Sequence, residues 1–169
     1  MRITLLKTFL ITCFGLLFLA SCDDSDDQRE FEQEAMAEPS GYTETDFNGE
    51  IISEDPDDWR IGPMFGTSVD VQEPAFPNPT EGDDITINIY ILTNNAVDGL
   101  FVRHRDERGY FRRLYQDDTR PLMPGIKQIR FDPVDMSLTG TIDDARGLHR
   151  IFVFDANDNL ITYGDVKVE

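Results

Sequence analysis

Five arginines fall within eleven residues, Arg103, Arg105, Arg108, Arg112 and Arg113, with His104 and Tyr110 among them. Guanidinium forks hold carboxylate and phosphate bidentately, so this stretch is a candidate patch for an anionic polysaccharide, a lipopolysaccharide phosphate or an acidic partner. The same residues equally suit a solvated sheet edge, whose charges deter edge-to-edge pairing and fold back on the protein's own acids. His104 and His149 are the candidate bases. No serine elbow, activated cysteine or metal-binding His pair accompanies them, and the chain is expected to be non-enzymatic. Among 33 acidic side chains, any carboxylate pair of the glycosidase kind is uninformative.

Asp155, Asn157 and Asn159 have the first three spacings of a calcium loop. Leu160 stands where that loop needs glycine, however, and Val166 where it needs glutamate. A hairpin turn explains Asp-Ala-Asn-Asp-Asn better, because Asx residues tolerate left-handed dihedrals. Asp83-Asp84, Asp117-Asp118 and Asp143-Asp144 read as loop acids first, and neither metal nor cofactor is expected. Trp59 either stacks on a sugar or plugs the end of a domain.

The positions of these residues depend on how the chain is divided. Its 169 residues carry 33 acidic and 15 basic side chains, a net charge of -18. Such an excess repels phosphate backbones and argues against nucleic acid as a partner. The charge is unevenly spread: Cys22 to Asp58 holds 15 acids against Arg29 alone, and Trp59 to Glu169 is only mildly acidic at -6. Two cysteines, Cys13 and Cys22, cannot form a disulfide framework or a four-thiolate zinc site.

Residues 1–21 read as a signal peptide, with Arg2 and Lys7 ahead of an apolar run from Thr8 to Ala20 that is too short to span a bilayer. Leu19-Ala20-Ser21-Cys22 resembles the bacterial lipobox. That resemblance implies cleavage before Cys22 and a diacylglyceryl thioether on it, a membrane anchor made durable by its several acyl chains. Cys13 would leave with the signal peptide. Asp23-Asp24-Ser25-Asp26-Asp27 resembles the acidic export signal of Bacteroidota-type lipoproteins displayed on the cell surface. In enterobacterial lipoproteins an Asp in this position instead favours the inner membrane. The expected address is the cell envelope, as an outer-membrane lipoprotein exposed at the surface.

Residues 22–58 have few aromatic or β-branched side chains and a high charge of one sign, which predicts a disordered tether with a reach of about 30 Å. Tyr42, Phe47, Ile51 and Ile52 are its candidates for local order. From residue 59 the pattern changes to short apolar alternations between turn residues. Ile85, Ile87, Ile89 and Ile91 recur at period two, the mark of a half-buried strand. LFVRHR and YFRRLY flank Asp106-Glu107-Arg108-Gly109, and HRIFVF and LITYGDVKV flank residues 155–159, as two hairpins. With TSVDVQ and IKQIRF this predicts an all-β, Ig-like sandwich of about seven strands over residues 59–169, without a helix.

Pro77-Asn78-Pro79, Asp106 with Gly109, Pro124-Gly125, Phe131-Asp132 and Gly147-Leu148 follow one another in the layout of a known family. From Ala75 to the C-terminus the chain resembles the Ig-like sandwich of type IX secretion sorting domains. The resemblance implies that fold. It also implies a second function, a sorting or adaptor domain of type IX secretion, beside the first expectation of a binding or assembly module for an envelope protein or anionic glycan. Sorting domains ride as tails behind large cargo, whereas here only an anchor and tether precede the sandwich.

Overall fold

The structure, a computed structural model, describes residues 23–169, with side chains from Asp26 onward. The signal peptide, the lipobox and Cys22 lie outside the described residues. Helix α1 spans Asp23–Ala35 and is followed by a small hairpin of β1 (Glu44–Thr45) and β2 (Ile51–Ser53). Seven further strands build two sheets: β3 (Val69–Phe76), β4 (Ile85–Ile91), β5 (Leu100–Arg105), β6 (Phe111–Asp117), β7 (Gly125–Phe131), β8 (Gly147–Phe154) and β9 (Leu160–Val168). One sheet has the order β3-β4-β7 and the other β6-β5-β8-β9, all antiparallel. The chain crosses from β4 to β5, back from β6 to β7 and over again to β8, so the molecule is an all-β sandwich of seven main strands.

The isoleucines of β4 define the inner face. Ile85, Ile87, Ile89 and Ile91 are each 0% exposed. They pair across to β7, Ile87 opposite Ile129 and Ile85 opposite Phe131, and meet Val102, Ile151 and Val153 of the facing sheet in one core. Burying side chains of this size contributes about 1.5–3 kcal/mol each, and this layer holds the two sheets together.

Residues 26–58 differ from the disordered tether predicted for them. Strand β8 reads Ile151-Phe152-Val153-Phe154, apolar on both faces, and all four residues are buried. Its outward pair, Phe152 and Phe154, needs a cover of its own. Phe31 and Ala35 of α1 provide it, packing with Phe152, Phe154, Leu160 and Tyr163 as a second, smaller core. The segment after the helix is fixed by polar bonds. Asp58 accepts from the Thr43 amide at 2.7 Å, and buried Asn78 donates to Thr43 O at 2.8 Å and to Asp165 O at 3.0 Å. The domain therefore begins well before Trp59. Phe47, Ile51 and Ile52 lie in or beside the β1–β2 hairpin, yet remain exposed.

Candidate functional site

The β5–β6 hairpin turns as its residues dictate. Asp106 N–H donates to Tyr110 O at 2.9 Å, the Asp106 carboxylate accepts from the amides of Arg108 and Tyr110, and Gly109 takes a φ of +83°. Those amides, Tyr110 first, hold the Asp106 carboxyl below its usual pKa. Strand alternation then divides the five arginines. Arg103 and Arg113 stand directly opposite one another, on the face away from the main core. Arg103 pairs with Asp158 at 2.7 Å and lies 4.9 Å above the Phe154 ring. Arg113 bonds Gln116. Arg112 points the other way, beside inward-facing His104, and donates to Ser137 O. Arg108 is exposed in the turn. The predicted patch is not a single surface.

One of the five, Arg105, joins a different group. A cavity of about 380 Å³ opens where the β5–β6 turn, the short helix α2 (Ile142–Ala145), the start of β8 and the segment after α1 meet. Its wall holds the acids Glu38, Asp106, Glu107 and Asp144, the arginines Arg105, Arg146 and Arg150, and His149. Arg105 donates to the Glu38 carboxylate at 3.0 Å and to Met36 O at 3.2 Å. Arg146 makes only an exposed contact with Asp143 at 3.2 Å. Asp144 accepts from the amides of Leu138 and Thr139, Thr139 first in weight, which lowers its pKa. Three guanidinium groups thus line one opening among four carboxylates, Arg150 already committed to Asp165, and sequence spacing groups only one of the three with the hairpin. Arg146 and Arg150 lie more than thirty residues further along the chain and carry no local signal.

Both histidines also line this cavity. Their rings meet edge to face with centroids 5.9 Å apart. His149 has a ring nitrogen 2.7 Å from Ala145 O. His104 is 1% exposed and neither of its ring nitrogens has a protein partner. Burial above all, with His149 and Arg112 beside it, pushes its pKa down to about 4. It is therefore a neutral imidazole at neutral pH.

A second hollow of about 300 Å³ shares Glu38 and Arg150 with the first and is lined by Glu34, Asp55, Asp57, Asp58 and Asp165. Asp165 is 2% exposed, and burial raises its pKa despite its pairing with Arg150. Burial likewise raises Asp58 to about 7, with the Asp165 charge adding to the rise, although the amides of Thr43 and Asp165 hold its carboxylate.

The remaining candidates have structural surroundings. Asp155 spends its carboxylate inside its own turn, accepting from the amides of Asn157 and Asn159, both at 2.8 Å. Asp84 pairs with Arg130 at 2.7 Å, Asp117 accepts from Thr119 N, and Asp143 and Asp144 lie in the first turn of α2. Trp59, 7% exposed, packs into the main core against Gly164. No protein-family model matches this chain, and no curated protein matches its sequence.

Proposed function

We propose that the chain is a non-enzymatic, lipid-anchored protein of the cell envelope, surface-exposed at the outer membrane, that acts as a binding or assembly module. In this reading its anionic ligand, a carboxylated or phosphorylated glycan or an acidic partner, enters the cavity at Arg105. The observation that supports it is the placement of Arg105 and Arg146 at one opening, each paired only with an exposed carboxylate, Glu38 and Asp143. Guanidinium groups around a concave, partly desolvated wall favour carboxylate and phosphate over neutral ligands. Glu38, whose side chain is 88% exposed, already places a carboxylate on Arg105. An incoming carboxylate has only a surface ion pair to displace there, and such pairs contribute about 0–1 kcal/mol.

Anchoring at Cys22 bears on how that opening would be presented. Helix α1 starts at the next residue and is fixed to the sandwich, so the lipid would sit at its N-terminal end. Glu38 lies just past its C-terminal end, about 20 Å away at 1.5 Å per residue.

Titration of the purified protein with polygalacturonate and with lipopolysaccharide tests the ligand class. The Arg105→Ala/Arg146→Ala double variant is expected to lose binding, and added salt to weaken what the wild type retains. Equal binding by wild type and variant would overturn the reading. The alternative, a sorting or adaptor domain engaging type IX machinery, draws on the ordered motifs from Pro77 to Leu148. Deleting the sandwich from the chain separates the two, because accumulation of secreted cargo in the periplasm would favour the adaptor.

A further inference from the structure

The β1–β2 hairpin is fixed both at its base and at its turn. Thr45 N–H donates to Asn78 O at 2.8 Å and its hydroxyl to Ala75 O at 2.7 Å, which ties β1 to the sandwich. The turn closes on Asp46, whose carboxylate accepts from the amides of Asn48 and Glu50 at 2.8 and 2.9 Å, while Gly49 takes a φ of +83°. On this frame Phe47, Ile51 and Ile52 are 72%, 51% and 63% exposed. Single exposed apolar residues are ordinary, but these three fall within six positions of one hairpin. Ile51 and Ile52 follow one another in a strand, so they point to opposite faces, and neither face of β2 is covered.

Strand β2 also has an open edge. It pairs with β1 alone, Ile52 stands opposite no residue of β1, and among the described residues no strand lies along its far side. The other edges of the fold are guarded. Arg112 and Arg113 lie on β6, Lys127 and Arg130 on β7, Ile61 and Thr80 bridge to β9, and register shifts break β3. The three residues of β2 carry no charge; its charges stand just beyond each end, at exposed Glu50 and Glu54. Those two decide what can pair there. A second copy laid antiparallel and centred on Ile52 would set the Glu50 side chains opposite the Glu54 side chains, and like charges directly opposite are destabilising. The Glu73 side chain, against which Gly49 lies, adds to the acidity.

We propose that the outer edge of β2 is a docking edge for an extended segment of a partner protein, apolar at its centre and flanked by lysine or arginine. Main-chain bonds to β2 would hold the segment, and its alternate side chains would meet Ile51 on one face and Ile52 on the other. Its basic flanks would answer Glu50 and Glu54. This surface is separate from the cavity at Arg105 and does not rest on any anionic glycan.

The test uses the purified full chain and a fluorescein-labelled peptide, KKTVIVTKK, read by anisotropy. The wild type is expected to bind it, and to bind neither the charge-reversed EETVIVTEE nor KKTVIVTKK methylated on alternate backbone nitrogens, which cannot complete a ladder. Ile52→Lys, at an exposed position, is expected to weaken binding by about tenfold or more, since an apolar contact of this size is lost and a like charge faces the peptide. The Glu50→Lys/Glu54→Lys double variant leaves both isoleucines in place and is expected to exchange the preference, taking EETVIVTEE over KKTVIVTKK. Failure of the wild type to bind KKTVIVTKK, equal binding of the methylated peptide, or unchanged preference in the double variant would overturn the proposal. So would a dimer of the wild type, seen by sedimentation velocity, that Ile52→Lys dissociates, because the edge would then take a second copy.

Discussion

Arg150 of β8 grips Asp165 of β9 with two parallel hydrogen bonds, Nε to Oδ1 and Nη2 to Oδ2, both at 2.7 Å. Their side chains are 11% and 2% exposed, so the pair is shielded from solvent. The third nitrogen of the same guanidinium reaches the end of α1, and its carbon lies 5.0 Å from the Tyr163 ring. Replacing one partner of a buried pair leaves the other charge uncompensated. Arg150→Met is expected to cost about 3–5 kcal/mol in denaturant unfolding and to speed hydrogen exchange across α1. Exchange in the helix that stays at the wild-type rate would contradict this tie.

His104 and Asp58 set opposite pH dependences. Asp58 rises from 3.8 to about 7 in the folded protein, so its contribution is present below pH 4 and is lost as pH climbs through 7. Asp165 is shifted in the same direction. His104 falls from 6.5 to about 4, so its contribution is present above pH 6.5 and is lost as pH drops toward 4. Each single proton gives a slope of up to about 1.4 kcal/mol per pH unit. Between pH 4 and 6.5 the slopes oppose one another. His104→Leu is expected to shift the slope toward stability falling as pH rises, and Asp58→Asn to shift it the opposite way, against the fall that Asp165 still contributes. Urea titrations at four pH values distinguish these signs.

Gly164 of β9 lies directly under the indole of Trp59, and a Cβ there would overlap the ring. The floor beneath is β-sheet backbone, which cannot yield. Gly164→Ala is expected to destabilise by about 1–3 kcal/mol, the usual cost of overpacking. Trp59 is the sole tryptophan, so its emission reports the displacement directly. A variant whose spectrum and midpoint match the wild type would refute the contact.

Cys22→Ala is expected to leave the precursor uncleaved by the lipoprotein peptidase and free of acyl label. Normal acylation of that variant would end the lipoprotein reading. Protease shaving of intact cells then reports which side of the outer membrane the sandwich faces.

The strands were legible because period two leaves its mark wherever one face meets a core, as in Ile85 to Ile91, and because Asp106 to Gly109 and Asp155 to Asn159 carry turn chemistry. The ordering of residues 26–58 was missed for a physical reason. Composition measures what a segment can bury against itself, whereas Phe31 and Ala35 bury against a sheet more than a hundred residues away. The available signal lay in the partner: Ile151 to Phe154 is apolar without alternation, so that strand must be covered on both sides. The arginine cluster failed for the complementary reason. Adjacency along a strand puts Arg112 and Arg113 on opposite faces, while Arg105, Arg146 and Arg150 come together only through the fold.

The first described element of this chain packs on its last two strands, with Gln28 bonded to Leu160 across 132 positions. A polypeptide emerging from its N-terminus therefore carries α1 for almost its entire synthesis without the surface that completes it. Segments left waiting in this way commonly aggregate. The seven carboxylates of α1 keep it hydrated and mutually repelling until β8 and β9 arrive, and its few apolar side chains are too sparse to find a wrong partner. The acidity of this region thus has a role in time, as a solubility device for the interval before the two ends of the chain meet.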